Sequence, residues 1–439
     1  MNGVILDLIH HQKGKHKSPL PSWYNFTTVT QLPAINMFSQ AALAINIALA
    51  VATNIFVADY SGQITTLALT ESKGNYTVTE TSVNKDCAPN PSWLTLDADR
   101  GLLFCLNEGL TSPNGSLSSF TIGTNGRLTS VKNATTISGP VSGVIYGNPA
   151  GPRAIALAHY AGSAISSWLL TGHGNFKHNQ DLTFTLDGPA PDPARQDAPH
   201  EHQAILDPTS QYILVPDLGA DLVRVFSWDD ATLKLTALEP LKPAPASGPR
   251  HAAFWNPYSV ACEGCTTYLY VVGELSSTVT SYAVSYKPNG GGLSFDQVYK
   301  STTYGLLNLP PGTAPAEVHV SPDNKYLTIS NRNDTAFTLA EPDGTIVKSD
   351  SLSTFALQDD GSLVWHQLWP AGGSFPRHYS MNAPGTLVAV GLQNDALVAI
   401  LQRDPSTGLI GEPIARIPVG GNVTCVVFDE QKALGVLGG

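Results

Sequence analysis

Residues 199–228, PHEHQAILDPTSQYILVPDLGADLVRVFSW, read as one complete unit of a repeat. A polar start (His200, Glu201, His202) leads into the apolar run 203–206. Asp207-Pro208-Thr209-Ser210 then predicts a tight turn, because proline fixes φ and an aspartate side chain bonds the backbone close to it. A second apolar run, 212–215, ends in Pro216-Asp217-Leu218-Gly219. A third, 222–228, sets Val223, Val225 and Ser227 alternately against Leu222, Arg224 and Phe226. Short β-rich runs closed by turn residues predict strands, not helix.

The same unit recurs through the chain. SWLTLDADRGLLFCLNE (92–108) is one copy, and SGVIYGNP (142–149) followed by 153–160 is another. HAAFWNP (251–257) joins TYLYVVGELSSTVTSYAV (267–284); EVHVSPDNKYLTISNRNDTAFTL (317–339) and HYSMNAPGTLVAVGLQNDALVAILQRD (378–404) follow. The copies are spaced by roughly 45–65 residues, the length of a four-stranded propeller blade. Two incomplete ends remain. NIFVADYSGQITTLAL (54–69) has a second and third strand without a first, and TCVVFDEQKALG (424–435) has a first strand and a turn. Joined, they complete one more blade. The expected architecture is therefore all-β: one seven-bladed β-propeller over 53–439, closed by pairing its two termini, which removes exposed sheet edges.

Composition agrees. Of 439 residues only 13% are charged, while Gly (39) and Pro (32) are plentiful, as many short strands with tight turns require. A formal net charge of −11 argues against nucleic acid as a partner, since phosphates demand a basic face. No basic amphipathic stretch suggests a membrane surface, so the expected partner is a small molecule.

The N-terminal region calls for separate treatment. Residues 37–52 (MFSQAALAINIALAVA) have an apolar core ending in Ala50-Val51-Ala52, a small-x-small cleavage pattern, and are too short to span a bilayer. They are read as a secretory signal starting at Met37, with 1–36 an upstream leader outside the fold; translation from Met37 implies secretion, and otherwise the protein is cytoplasmic. Six N-x-S/T sequons, at Asn25, Asn75, Asn114, Asn133, Asn333 and Asn422, fit glycosylation in a secreted protein. Cys87 and Cys105 flank one predicted hairpin and are placed for a bridge across it. Cys262-x-x-Cys265 lacks the second pair that a zinc site needs and the βαβ context of a thioredoxin motif; Cys425 is left over.

The chemistry is expected at the channel. In a propeller the first strand of each blade lines the centre, and the second ends at an equivalent place in every blade. Aligning the copies gives Asp59, Glu108, His159, Asp217, Glu274, Arg332 and Gln393, all polar. The first strands add His200 and His202, Arg250 and His251, Glu317 and His319, Arg377 and His378. Such residues also act as turn acceptors or hold blades together, but a ring of acids, bases and guanidinium groups suits a small anionic or polyhydroxy ligand.

HQAILDPTSQYILVPDLGADLVRVF, GPRHAAFWNP, ELSSTVTSY, SPDNKYLTISNRND and FPRHYSMNAPGTLVAV resemble the lactonase family of seven-bladed propellers. That family includes bacterial 6-phosphogluconolactonase, fungal extracellular aldonolactonases and fungal carboxy-cis,cis-muconate cyclase. The resemblance implies an acid/base glutamate at Glu274, a binding arginine at Arg250 and a histidine at His202, with His200 left as the alternative. Arg332, Arg377, Asp217, His159 and His200 are the expected substrate contacts. The function so implied is metal-independent hydrolysis of an aldonolactone-type sugar-acid lactone by general acid/base catalysis, with no cofactor. A muconate-lactonising isomerase needs the same residue types and remains the alternative; a non-enzymatic binding scaffold is the third. No G-x-S-x-G, H-E-x-x-H, P-loop or G-x-G-x-x-G with a following acid occurs, and His200-x-His202 alone does not make a metal site.

Overall fold

Asp207 illustrates how turn chemistry sets this fold. Its carboxylate accepts the backbone amides of Thr209 (2.9 Å), Gln211 (2.7 Å) and Tyr212 (2.7 Å), closing the turn that Pro208 initiates. The strand that follows, Ile213–Asp217, pairs antiparallel with both its neighbours. The computed structural model describes residues 52–258, 266–340 and 344–430, and repeats this arrangement in seven four-stranded antiparallel sheets. The sheets take their strands from consecutive stretches: 91–136, 140–183, 205–241, 249–302, 314–370 and 376–418 form blades two to seven. Blade six carries an extra hairpin, Phe337–Ala340 with Ile346–Ser349, between its second and third strands.

Blade one closes the ring. Thr53–Asp59 pairs with Gln63–Ser72 on one side and with the C-terminal strand Val423–Phe428 on the other, Val57 facing Val426. The innermost strand of this blade thus comes from the end of the chain, as the two incomplete repeats require.

Seven apolar clusters sit at the seven blade interfaces. One joins Ile55, Val57 and Leu67 of blade one to Ala389, Val398 and Ile400 of blade seven, all fully or nearly fully buried. Burial of this apolar surface, at about 25 cal/mol per Å², is the main force holding blade to blade. Cys87 and Cys105 form a disulfide that ties the segment between blades one and two to the second strand of blade two. Cys425 is free and buried. The predicted signal and leader, and Cys262 and Cys265, lie outside the described residues. Among the described residues no helix is long and apolar enough to cross a membrane.

Candidate active site at the mouth of the channel

Four of the innermost strands open on a proline, Pro91, Pro140, Pro249 and Pro376, and a fifth carries Pro315 at its second position. Proline tolerates the first position of a strand, where no ladder amide is needed. Just after it the register slips by one residue in every case, a β-bulge. A bulge re-aims side chains, so two successive residues can both face the channel. Arg250 with His251, Arg377 with His378 and Ser92 with Trp93 are such pairs, and together with Val141, His202 and Thr424 they line one small central cavity.

The ring of strand ends around it, the rim, is set by a repeated backbone hydrogen bond. The residue just beyond the second strand donates its amide to the carbonyl just before the first strand, or in blade four before the Glu201–Asp217 bridge that precedes that strand. Glu108 donates to Asn90, Tyr160 to Gly139, Leu218 to His200, Glu274 to Gly248, Gln393 to Phe375 and Tyr60 to Asn422, at 2.7–3.0 Å. In blade six Arg332 takes this place by pairing with Ala314. The equivalent positions are therefore Tyr60, Tyr160 and Leu218 in blades one, three and four, one residue later than the aligned Asp59, His159 and Asp217. Successive side chains on a strand point to opposite faces, so a slip of one turns a side chain away.

That slip leaves two expected substrate contacts outside the cavity lining. His159 is fully buried away from the cavity, its ring bonded to Ser166 Oγ (2.8 Å) and the Ile137 carbonyl (3.1 Å). Burial pushes it down to about 4. Asp217 accepts the amides of His200 and Ala220 and pairs with Arg224 Nη2 at 2.6 Å; it braces blade four. His200 and His202 also separate. His200 stacks on the Tyr160 ring at 4.2 Å and is held by the Tyr160 carbonyl and Asp197, while His202 lines the cavity with Nδ1 unpartnered.

The structure brings Glu274, Arg250 and Arg332 together, and adds a residue the repeat did not reveal. Glu274 Oε1 accepts from Arg195 Nη2 at 2.7 Å, and Oε2 lies 2.7 Å from Arg332 Nη2 and 2.9 Å from Arg250 Nε. Burial works to raise this carboxyl, but Arg332, Arg250 and Arg195 outweigh it and hold Glu274 at about 2. It is an ionised group near neutral pH, poorly suited to exchanging protons. Arg195 comes from the loop between blades three and four, where no periodic pattern marks it. Arg250 also donates from Nη1 to the Ala316 carbonyl at 2.7 Å. Arg377 lies over the Tyr60 ring at 5.7 Å and makes no ion pair or hydrogen bond among the described residues. Tyr60 in turn donates to Glu108.

Next to Arg250, which bonds the preceding carbonyl, sits a carboxylate among histidines. Glu317 is fully buried; its Oε1 lies 2.9 Å from His251 Nδ1 and 3.7 Å from His319 Nε2, and its Oε2 lies 3.3 Å from His378 Nε2. Trp93 packs edge-on against the His251 and His378 rings at 5.9 and 5.1 Å.

Residues 50–428 match the family described as "Lactonase, 7-bladed beta-propeller". The chain belongs to this lactonase family. A relative named probable 6-phosphogluconolactonase, from Arthroderma benhamiae, is 32% identical over 363 residues, 82% of this chain and 85% of that one. The 6-phosphogluconolactonase of Formosa agariphila is 25% identical over 346 residues, 78% of this chain and 90% of its own. Among solved structures, the periplasmic gluconolactonase of Pseudomonas aeruginosa shares the fold with a TM-score of 0.70 at 24% identity, over 86% of this chain and 99% of that one.

In this lactonase-family channel, Glu317, His319 and His378 bring three ligand-type atoms within 4.8 Å of one another. The His378 ring, however, accepts the Val426 amide at Nδ1 (3.3 Å), so in the neutral ring the proton resides on Nε2, the nitrogen facing Glu317. A metal-bound histidine instead donates its distal N–H and offers the other nitrogen's lone pair. The group is arranged for hydrogen bonding and proton handling rather than for ligation.

Proposed function

We propose that the protein opens a sugar-acid lactone bearing an anionic group, at the rim of the channel. The observation that carries this reading is the excess of guanidinium over carboxylate there: Arg195, Arg250, Arg332 and Arg377 against Glu274 and Glu108. Guanidinium forks bind phosphate and carboxylate bidentately, and the relatives named 6-phosphogluconolactonase support a lactone as the reacting group. Glu274 fixes three of the arginines, leaving Arg377 free to face the lactone carbonyl and stabilise the oxyanion. The histidine-lined cavity next to them supplies the proton-transfer chemistry. The disulfide supports an oxidising compartment; secretion through the segment 37–52 would bring an unphosphorylated aldonolactone within reach, at the lower kcat/KM that its missing anion implies.

The same arginine excess supports a second reading, lactonising isomerisation of a carboxymuconate, in which the arginines hold the carboxylates. A pH-stat assay on 6-phosphogluconolactone and gluconolactone, beside an ultraviolet assay on carboxymuconate, decides between them. Hydrolysis with higher kcat/KM for the anionic lactone is the expected result. Turnover of carboxymuconate alone selects the isomerase, and folded protein inactive on all three leaves a binding scaffold.

A further inference from the structure

His251 differs from the other channel histidines in how its two nitrogens are committed. Its Nδ1 lies 2.9 Å from Glu317 Oε1, and a carboxylate only accepts, so the neutral ring carries its proton on Nδ1. Its Nε2 is buried, has no hydrogen-bond partner among the described residues, and belongs to a ring that lines the central cavity. Glu317 is itself fixed: Oε1 also accepts the Val318 amide at 3.1 Å, and its own amide donates to Ser330 Oγ at 3.0 Å. The space open to a water centre in the cavity is about 10 Å³, the room of one molecule.

From this geometry we propose that His251, oriented by Glu317, is the base that activates the hydrolytic water. The inference rests on the lactonase reading above and adds a residue to it. His251 Nε2 takes a proton from the water as the water oxygen bonds to the lactone carbonyl carbon. The carbonyl π pair moves to oxygen, facing Arg377. Collapse of that adduct breaks the bond from carbon to the ring oxygen, and the imidazolium returns its proton to the departing alkoxide, leaving the hydroxy acid. The buried imidazolium formed midway lies among Arg250, Arg377 and His202; the Glu317 carboxylate offsets that positive surrounding, as the third member of a hydrolytic triad does.

The other candidates lack this arrangement. His378 spends its Nδ1 lone pair on the Val426 amide, and its Nε2 points to Glu317 and, at 3.8 Å, to Cys425 Sγ. His202 has no carboxylate partner among the described residues; burial, and then Arg250, His251 and Arg377 beside it, oppose its protonation. Glu274 is held ionised by three arginines.

His251→Asn keeps an N–H that can reach Glu317 while removing the base. In protein shown to be folded by circular dichroism, kcat should fall by about 10²–10⁴, the usual contribution of a positioned base, with KM changed only a few-fold. Glu317 is a positioning residue: Glu317→Gln retains an acceptor for Nδ1–H but loses the charge, so kcat should fall and the acid limb of kcat should move to lower pH. A merely structural role would leave that limb in place. A wild type inactive on every lactone fells the functional reading itself, whereas an active wild type with near-normal kcat in folded His251→Asn fells only the dyad. If the variants do not fold, ¹⁵N NMR of the histidines in unaltered protein decides: the expected form is neutral with the proton on Nδ1, and a proton on Nε2 overturns the proposal.

Discussion

Arg332 Nη2 and Glu274 Oε2 meet at 2.7 Å across the boundary of blades five and six, both nearly inaccessible to solvent. A buried carboxylate shared by three guanidinium groups is an anchor for them. Removing one partner of a buried ion pair costs about 3–5 kcal/mol, so Glu274→Ala should lose stability on that scale in urea unfolding. Glu274→Gln should lower kcat through misplaced arginines yet keep every limb of the pH–rate profile. Disappearance of a limb in that variant would return the acid/base role to Glu274.

Arg377 differs from the other three arginines in making no ion pair among the described residues. As the oxyanion donor it should be sensitive to geometry more than to charge. Arg377→Lys keeps the charge and loses the planar fork, and removing one such donor costs about 10²–10³ in kcat. Arg332→Lys, at a group already engaged with Glu274, should raise KM for the anionic lactone more than it lowers kcat. Steady-state kinetics on both variants separates the roles; equal loss of kcat and unchanged KM in the two would overturn the assignment.

The blades were legible because each repeat announces itself twice, by alternating strands and by turns such as Asp207-Pro208, whose chemistry is local. The closure of blade one was legible for the same reason: each terminus holds the part the other lacks. The rim was legible only to within one residue. Glu108, Glu274, Arg332 and Gln393 fall where the alignment puts them, whereas Asp59, His159 and Asp217 are strand-terminal residues one place early. Nothing local in GLLFCLNE and RAIALAHY distinguishes the two registers; the hydrogen bond that fixes them joins different strands. The signal was present in the prolines, since each Pro-opened first strand carries a bulge at its second residue, which is why Arg250 and His251 both face inward. Arg195 had no such signal, because its loop does not repeat.

The Cys87–Cys105 disulfide closes a loop across 18 positions of sequence. Removing a cross-link of about that span frees the unfolded chain by about 3 kcal/mol in the entropic account. Cys87→Ser/Cys105→Ser should therefore lower the urea midpoint without changing kcat, since neither residue touches the channel. A reductant should reproduce the shift in the native protein and leave the double variant unaffected. A reductant effect of equal size on both would assign the change to some other group.

Acid should unfold this protein earlier than its carboxylates alone would. Burial holds His251 and His159 at about 4 and His378 at about 3, and depresses His202 as well. An unfolded histidine titrates near about 6.5. Between that value and the folded ones the unfolded chain binds protons that the folded chain refuses, so stability is full above about pH 6.5 and is lost as pH falls. Glu274, depressed by its arginines to about 2, adds to the loss only below the ordinary carboxylate range. Glu201, Asp334, Asp59 and Glu430, raised chiefly by burial, act in the opposite sense, but only Glu201, at about 9, and Asp334, at about 6, are shifted far, against four histidines. Melting temperature should therefore decline progressively from pH 7 to pH 4.5, and His251→Asn should flatten that slope by removing one of the four. A melting temperature constant over this range would show that these histidines are not held neutral in the folded state, and with that the buried base at His251 would lose its electrostatic footing.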